Sequence, residues 1–245
     1  MIRKIVRNIC RATYWPDGAV RRVLIGPSAG LRYRIFPKYG LGPLWGRWEP
    51  HLQRLMVRVL KPGDVAHDVG GNYGIHTLLM ARLVGSSGTV CSFEPHPKIF
   101  AACSENVGFN HFQNVKLLNV ALSDRAGTVP FSLGRHEGQG HVITNQNDVA
   151  TFNVKCETMD HLVATGQISP PTFIKIDVEG HESAVLAGAE TTVAKHKPIL
   201  AVDLHNPEQD KKVGQFLIRH GYVAYRQESL EKVISYSHFA IVPMS

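Results

Sequence analysis

The stretch HDVGGNYGIHTLLMA, residues 67–81, places three glycines and an asparagine between an apolar run and a helix-like segment. Glycines between a strand and a helix permit a tight turn and let a ligand approach the bare backbone. The run at 65–69 has the length and composition of a strand, and residues 74–84 have those of a helix. The stretch therefore predicts a strand–turn–helix unit that can hold a nucleotide-like ligand.

The remainder of the domain repeats this alternation of short apolar runs and helix-like segments, which is typical of a doubly wound α/β fold. We expect a mostly parallel, Rossmann-like sheet of seven strands. The last two runs follow each other without a helix, so we expect them to pair antiparallel at the sheet edge. Strands are predicted at 65–69, 89–94, 115–122, 172–178, 199–205, 222–226 and 239–244, and helices at 49–60, 74–84, 97–109, 158–164, 181–195 and 207–220.

Chain length and composition fit one α/β domain, residues 49–245, preceded by a basic extension and cap, residues 1–48. Residues 1–38 contain nine Lys and Arg and a single acidic residue, Asp17. This segment is either a solvated surface or a contact for anionic lipid head groups, a phosphorylated carrier or nucleic acid. Residues 134–150, rich in Gly, Asn, Gln and His, form either a mobile loop over the site or an ordinary surface excursion.

The cysteines and the apolar runs bear on the compartment. The four cysteines are far apart and form no CxxC pair, which indicates reduced thiols and gives no zinc signature. No apolar run reaches the roughly 20 residues of a membrane-spanning helix. We therefore expect a cytoplasmic protein whose basic N-terminus can contact the inner face of a membrane.

The glycine turn departs from the dinucleotide fingerprint G-x-G-x-x-G, because its spacing is D-x-G-x-N-x-G with Asn72 in place of the second glycine. Asparagine tolerates a left-handed backbone, so the turn is retained. Glu94 ends the next strand, 20 residues after Gly74, where a carboxylate can accept both ribose hydroxyls of an adenosine. Carboxylates at the ends of two central strands, Asp68 and Asp177, favour a methionine ammonium over a pyrophosphate.

With these residues the chain resembles the FkbM family of S-adenosylmethionine-dependent methyltransferases, which are class I methyltransferases. The resemblance implies S-adenosylmethionine as cofactor and, as acceptor, a hydroxyl of a sugar, glycolipid or related secondary metabolite. Gly71 stands where the family more often has alanine, which we expect to loosen the turn slightly. The matching segments are GRWEPHLQRL (46–55), LKPGDVAHDVGGNYGIHTLLMA (60–81), VCSFEPHPKIFAACSENVGFN (90–110), VALSD (120–124) and FIKIDVEGHESAVLAGA (173–189).

The resemblance also implies which residues bind the cofactor. It places Glu94 at the ribose, and Asn119 with Ala121 at the adenine edge. Around the methionine half it places Asp68, Gly70, Asn72 and Gly74. The complete set is Glu49, Asp68, Gly70, Asn72, Gly74, Thr77, Glu94, Asn119, Ala121 and Asp177.

Methyl transfer to a hydroxyl needs alignment and a proton acceptor. The candidate catalytic residues follow the fourth and fifth core strands: Asp177, Glu179, His181 and His205. Either histidine is a candidate general base; the alternative is that the histidine only caps a helix and that Glu182 faces solvent. A second possibility is a magnesium-type site formed by Asp177, Asp203 and Asn206, which offer oxygen ligands.

Two other functions compete with sugar methylation. An RNA methyltransferase is suggested by the sequence pI of about 9.3. It is disfavoured, because the basic excess is confined to the N-terminal segment and no RNA-binding module is evident. A catalytically silent cofactor-binding protein is disfavoured by the intact turn and Glu94. The sequence does not indicate an oligomeric state.

Overall fold

The structure is a computed structural model of the chain, and it describes residues 18–34, 41–132, 140–143, 152–226 and 239–242. The helices are α1 (Pro50–Val59), α2 (Ile75–Val84), α3 (Pro97–Phe109), α4 (Met159–Ala164), α5 (Glu182–Ala187), α6 (Glu190–His196) and α7 (Pro207–Arg219), with a 3₁₀ turn at Pro43–Trp45. The strands are β1 (Val20–Arg22), β2 (Arg32–Arg34), β3 (Val65–Val69), β4 (Thr89–Phe93), β5 (Val115–Leu118), β6 (Ala121–Leu122), β7 (Gly127–Ser132), β8 (His141–Val142), β9 (Phe152–Glu157), β10 (Phe173–Ile176), β11 (Ile199–Val202), β12 (Val223–Arg226) and β13 (Phe239–Val242).

The main sheet is parallel and has the strand order β12-β13-β11-β10-β3-β4-β5. The predicted doubly wound α/β architecture is therefore confirmed. From β3 the chain moves outward through β4 to β5, and then returns to β10 on the other side of β3. This reversal creates a switch point between β3 and β10, and ligands of open α/β sheets bind in the crevice outside the carboxyl ends of the strands at such a point.

The prediction of an antiparallel final pair is wrong. β13 is parallel to β12, with Val223 opposite Phe239 and Tyr225 opposite Ile241, and it is also parallel to β11. The connecting residues, 227–238, lie outside the described residues. Twelve residues can span about 40 Å, whereas a strand of four residues is only about 13 Å long. Twelve residues are therefore long enough to bring the chain back to the starting end of the sheet for a parallel strand.

A second sheet, with the order β6-β9-β7-β8, was not predicted. The single strand expected at 115–122 is divided, because β5 belongs to the main sheet and β6 pairs with β9. The helix expected at 181–195 is also divided, into α5 and α6, at Gly188. A Cβ at Gly188 would lie 1.9 Å from the carbonyl oxygen of Ser123, so this close approach of two backbones requires glycine.

The core fills both faces of the main sheet, as a parallel sheet requires. On one face Val69, Phe93 and Ile176 pack against the helical residues Val185 and Leu217. On the other face Ala66, Val90 and Phe173 pack with Met56 of α1 and Met80 of α2. Strand β10 is buried along its whole length, and this includes the charged residue Lys175.

The described part of the extension is attached to the domain through α3. Asn110 accepts a hydrogen bond from the Arg32 N–H and donates one to the Arg32 carbonyl, at 2.8 and 2.7 Å. Asn106 accepts from the Arg34 N–H at 2.9 Å. The proposed boundary between residues 48 and 49 remains a prediction.

Cys91, Cys103 and Cys156 are buried free thiols. None of the helices in the described segments has the length and apolar character needed to cross a membrane.

Candidate active site

The turn between β3 and α2 has a left-handed backbone at three positions. The φ angles are 79° at Gly70, 51° at Asn72 and 88° at Gly74. The predicted left-handed asparagine is therefore confirmed, and its side-chain oxygen accepts a hydrogen bond from the Tyr73 N–H at 2.8 Å. A Cβ at Gly70 would lie 1.9 Å from the carbonyl oxygen of Asp177. Glycine is required there because the turn and the end of β10 touch.

Asp68 and Thr77 lie beneath this turn, and both are completely buried. The Thr77 hydroxyl donates to Oδ2 of Asp68 at 2.6 Å and also lies 3.0 Å from Oγ of Ser92. Neither residue lines a cavity described below. Both were predicted to bind the cofactor; their position indicates that they shape the turn from behind.

Lys175 is the central cation of the site, and the sequence analysis did not identify it. Its ammonium donates to the Gly70 carbonyl at 2.8 Å and forms ion pairs with Asp68 at 3.2 Å and Asp177 at 3.5 Å. Burial opposes the charge, but Asp68, Asp177 and Glu49 together raise the pKa of Lys175 above its ordinary value. Lys175 is therefore a permanent positive charge that joins the turn to the ends of two strands.

Glu94 is held at the end of β4 by two backbone donors. Oε2 accepts from the Asn72 N–H at 3.0 Å, and Oε1 accepts from the His96 N–H at 2.8 Å. Burial is nevertheless the larger effect and raises the pKa of Glu94 to about 7. The carboxylate is thus fixed in direction and lines the main cavity.

The main cavity extends between the two sheets and opens to solvent. Its ionisable lining is Glu94 near β4 and Asp177, Glu179 and His181 after β10, with His141 from the second sheet. The apolar lining includes Ile99, Val120, Ala121, Phe131 and Val142.

A second cavity, of about 380 Å³, lies on the other side of the turn. Asn72 and Asp177 line both cavities. The second cavity is walled by the extension and by α2; its lining includes Tyr33, Pro43, Trp48, Tyr73, His76 and Lys175.

Glu49 lies beside the second cavity, with Oε2 3.8 Å from Nε2 of His76. Burial raises the pKa of Glu49 to about 7, with Asp177 and Asp68 adding to the shift and Lys175 opposing it. Burial also lowers the pKa of His76 to about 4. The predicted Glu49 therefore approaches the charged centre formed by Lys175 and Asp177.

His205, after β11, contacts three carboxylates. Its Nδ1 donates to Oε1 of the buried Glu182 at 2.8 Å. Its Nε2 lies 3.5 Å from Asp177 and 3.4 Å from Glu179. Burial would lower the pKa of His205, but the hydrogen bond to Glu182 and the charges of Glu179 and Asp177 raise it to about 9. The alternative that Glu182 faces solvent is wrong, because Glu182 is completely buried and orients His205.

His181 occupies a different environment. Its Nε2 lies 3.0 Å from the Ser123 hydroxyl, and burial lowers its pKa. It precedes α5 but its side chain makes no capping hydrogen bond. His181 and His205 are thus separate groups, one beside Ser123 and one among carboxylates.

The predicted metal ligands only partly come together. One ligand atom from each of Asp177, Asp203 and His205 lies within 4.8 Å of the others. Asn206 caps α7, and its side-chain oxygen accepts from the Gln209 N–H at 3.0 Å. The predicted role of Asn206 as a metal ligand remains a prediction.

The side chain of Asn119 forms hydrogen bonds with backbone carbonyls. Its side-chain amide donates to the carbonyls of Glu94 and Pro95, at 2.8 and 3.0 Å. It supports the end of β4 and does not line the main cavity, whereas Ala121 does. The predicted contact of Asn119 with adenine remains a prediction.

Phe131 of the second sheet lines the main cavity and was not predicted. Gly140, His141 and Val142 also line it, and they belong to residues 134–150, for which the sequence left open a loop over the site or a surface excursion. The available signal was the alternation of buried Val129 and Phe131 with exposed Thr128 and Pro130. Gly140 permits β8 to approach β7, because a Cβ there would lie 2.6 Å from the Phe131 ring.

A glycine-rich turn at the switch point, with carboxylates at the ends of neighbouring parallel strands, defines a Rossmann-like site for an adenosine cofactor of the class I methyltransferase type. Residues 68–224 match the Methyltransferase FkbM domain family, and the chain belongs to this family. It is therefore an S-adenosylmethionine-dependent methyltransferase.

Two curated relatives and one solved structure illustrate the similarity. The hexuronic acid methyltransferase AglP of Haloferax volcanii is 28% identical over 87% of this chain and 88% of its own length. The 2-O-methyltransferase NoeI of Sinorhizobium fredii is 28% identical over 59% of this chain and 65% of its own. The crystal structure of a methyltransferase FkbM from Methylobacillus flagellatus is 17% identical, with a TM-score of 0.48, over 88% of this chain and 64% of that one.

Proposed function

We propose that the protein transfers the methyl group of S-adenosylmethionine to a hydroxyl of a sugar in a glycan, glycolipid or related metabolite. The observation that carries this proposal is the main cavity, which joins the anchored carboxylate of Glu94 to the ionisable groups after β10. The names of the relatives, a hexuronic acid methyltransferase and a 2-O-methyltransferase, support a sugar hydroxyl as acceptor.

The residues present fit the cofactor. Glu94 can accept the ribose hydroxyls, while the apolar residues Ile99, Ala121 and Phe131 suit the faces of an adenine ring. The methionine half would follow the turn past Gly70, Asn72 and Gly74 towards the second cavity. Glu49 and Asp177 would face its ammonium, and Asp68 and Thr77 would hold the turn behind it. When bound, S-adenosylmethionine supplies a methyl group that is activated by the attached sulfonium.

The chain must then orient the acceptor and take its proton. Asp177 and Glu179 line the cavity where it meets the turn, so their carboxylates can accept hydrogen bonds from sugar hydroxyls. Correct alignment of the acceptor is worth up to about 7–11 kcal/mol of the barrier. Glu179 is placed by a left-handed backbone, with φ of 54°, which turns the chain back towards α5.

We take His205 as the proton acceptor because a buried carboxylate orients it. Glu182 fixes its Nδ1, so its Nε2 is directed towards Asp177 and Glu179. A base oriented by a buried carboxylate is a recurrent catalytic arrangement. Before the cofactor binds, the imidazole is protonated at neutral pH, because its pKa is about 9. Positive charge of the cofactor beside Asp177 opposes this protonation and favours the basic form.

A divalent cation held by Asp177, Asp203 and His205 is the alternative. Oxygen and imidazole donors suit such an ion, which would stabilise the alkoxide of the acceptor. Exhaustive chelation followed by a methyl-transfer assay separates the alternatives. Unchanged turnover removes the cation, whereas a loss that added Mg²⁺ restores would favour it over His205 as the means of activation.

The basic N-terminal segment would bring the protein to anionic membranes or to a phosphorylated carrier of the acceptor. Cofactor binding is tested by calorimetric titration with S-adenosylmethionine and with NAD; binding of NAD alone would contradict the proposal. The acceptor class is tested by a screen of glycans and lipid-linked sugars for transfer of a labelled methyl group. Transfer to RNA and to no sugar would favour the RNA methyltransferase.

A further inference from the structure

An exposed apolar group lies on the surface of the extension, and its residues line neither of the two cavities. Leu24 is 51% exposed, Ile25 54% and Trp45 42%. They are close in the fold, because the Leu24 N–H donates to the carbonyl of Leu44, and a Cβ at Gly46 would lie 2.3 Å from the Ile25 carbonyl oxygen; Leu44 and Gly46 are the chain neighbours of Trp45. We call Leu24, Ile25 and Trp45 the Trp45 patch.

The surroundings of the Trp45 patch are positively charged. Arg21, Arg22 and Arg47 are exposed and adjacent to it in the chain. No acidic residue occurs between residues 18 and 48. A tryptophan and two aliphatic side chains beside arginines are the composition of surfaces that enter the interface of a bilayer. A surface that binds nucleic acid would also contain the arginines, but exposed aliphatic residues such as Leu24 and Ile25 do not contribute to phosphate contacts.

We propose that the Trp45 patch, with Arg21, Arg22 and Arg47, docks the protein on anionic lipid bilayers. The Trp45 patch would be the surface through which the membrane contact of the proposed function is made, and this inference rests on that function. The 3₁₀ turn connects the surface to the site, since Pro43 lines the second cavity while Trp45 is exposed. A docked protein would thus hold the second cavity close to the membrane.

The test is flotation of the full chain with vesicles of phosphatidylcholine alone or with about 30% phosphatidylglycerol. We expect binding to the anionic vesicles only. The variant Leu24→Ser/Ile25→Ser/Trp45→Ser should reduce that binding at least tenfold, and the variant Arg21→Glu/Arg22→Glu should also reduce it at least tenfold, given about 1 kcal/mol per basic residue near such a surface. Ile218→Ser and Lys211→Glu are matched controls on α7, and they should bind like the unaltered chain.

Unaltered vesicle binding of the serine variant would overturn the proposal, because residues 1–17 alone would then account for the contact. Binding to single-stranded RNA without binding to vesicles would overturn it as well. Thermal unfolding of each variant establishes that it is folded. Calorimetric titration with S-adenosylmethionine is run in parallel, so that failure of cofactor binding is recognised separately from failure of docking.

Discussion

The ammonium of Lys175 lies 3.2 Å from the carboxylate of Asp68, and both side chains are almost completely removed from solvent. A buried ion pair is costly to break from one side, because the remaining charge has neither water nor a partner. We therefore expect Lys175→Met to lower the free energy of unfolding by about 3 kcal/mol or more. Urea denaturation measures this change.

The matched control is Lys155→Met on β9, whose side chain is exposed and which should change stability by less than about 0.5 kcal/mol. The double variant Asp68→Asn/Lys175→Met should recover part of the stability that Lys175→Met loses. Equal losses for the Lys175 and Lys155 variants would contradict the role given to the buried ion pair.

The raised pKa of Glu94 predicts a pH-dependent affinity. Its value of about 7 in the folded protein lies above the ordinary value of 4.5. The contribution of Glu94 to stability is therefore complete at low pH and is lost as the pH rises through about 7. Ribose hydroxyls favour the ionised form, so the affinity for S-adenosylmethionine should increase between about pH 6 and pH 8.

Glu94→Gln should weaken S-adenosylmethionine binding at least tenfold, since hydrogen bonds to a charged group are worth about 1.5–3 kcal/mol. Glu94→Gln should also make the affinity for S-adenosylmethionine less dependent on pH. Glu49→Gln should remove much of the pH dependence that remains, because the pKa of Glu49 is raised to a similar value. Glu105→Gln, on the exposed ion pair with Arg34, is the control. Calorimetric dissociation constants that do not change in Glu94→Gln would refute the ribose assignment.

Gly71 and Ser92 are predicted to be coupled. A Cβ at Gly71 would lie 2.1 Å from Oγ of Ser92, which itself lies 3.0 Å from the Thr77 hydroxyl. Gly71→Ala should therefore destabilise the protein by about 1–3 kcal/mol through overpacking. Ser92→Ala in the same chain should relieve most of this loss, and a double-mutant cycle measures the coupling. Purely additive losses would show that the collision with Ser92 does not matter.

His205 and Glu182 are predicted to act as a unit in methyl transfer. His205→Gln should reduce kcat by about 10²-fold or more, as expected for loss of a general base, with little change in cofactor affinity. Glu182→Gln should have a similar effect on kcat, and the double variant should be no worse than either single one. His161→Gln on the exposed face of α4 is the control. A fully active His205→Gln would leave His181 as the candidate base.

The parts of the fold that the sequence predicts are those whose residue patterns are local. The strand at 65–69, the helix at 97–109 and the left-handed Asn72 are reproduced because apolar periodicity and glycine spacing determine them directly. The division of the helix at Gly188 could not be predicted, because it depends on contact with Ser123. The same holds for the parallel direction of β13, which depends on where a long connection returns.

The residues of the site likewise include some that the sequence could place and some that it could not. Carboxylates at strand ends, such as Asp177 and Glu94, could be placed from the topology. Lys175 could not, because a lysine within a buried strand has no sequence pattern that reveals its partners. The side chains of Asn206 and Asn119 form hydrogen bonds with backbone groups, which the sequence does not reveal.

His141 and Val142 line the main cavity from the second sheet, and among the described strands none is shared between that sheet and the one that carries Glu94 and Asp177. Substitutions at these two positions can therefore alter which acceptor fits the cavity, while the residues proposed to hold the methyl donor stay unchanged. Acceptor preference could therefore change through these two positions without any change at Glu94 or in the glycine turn.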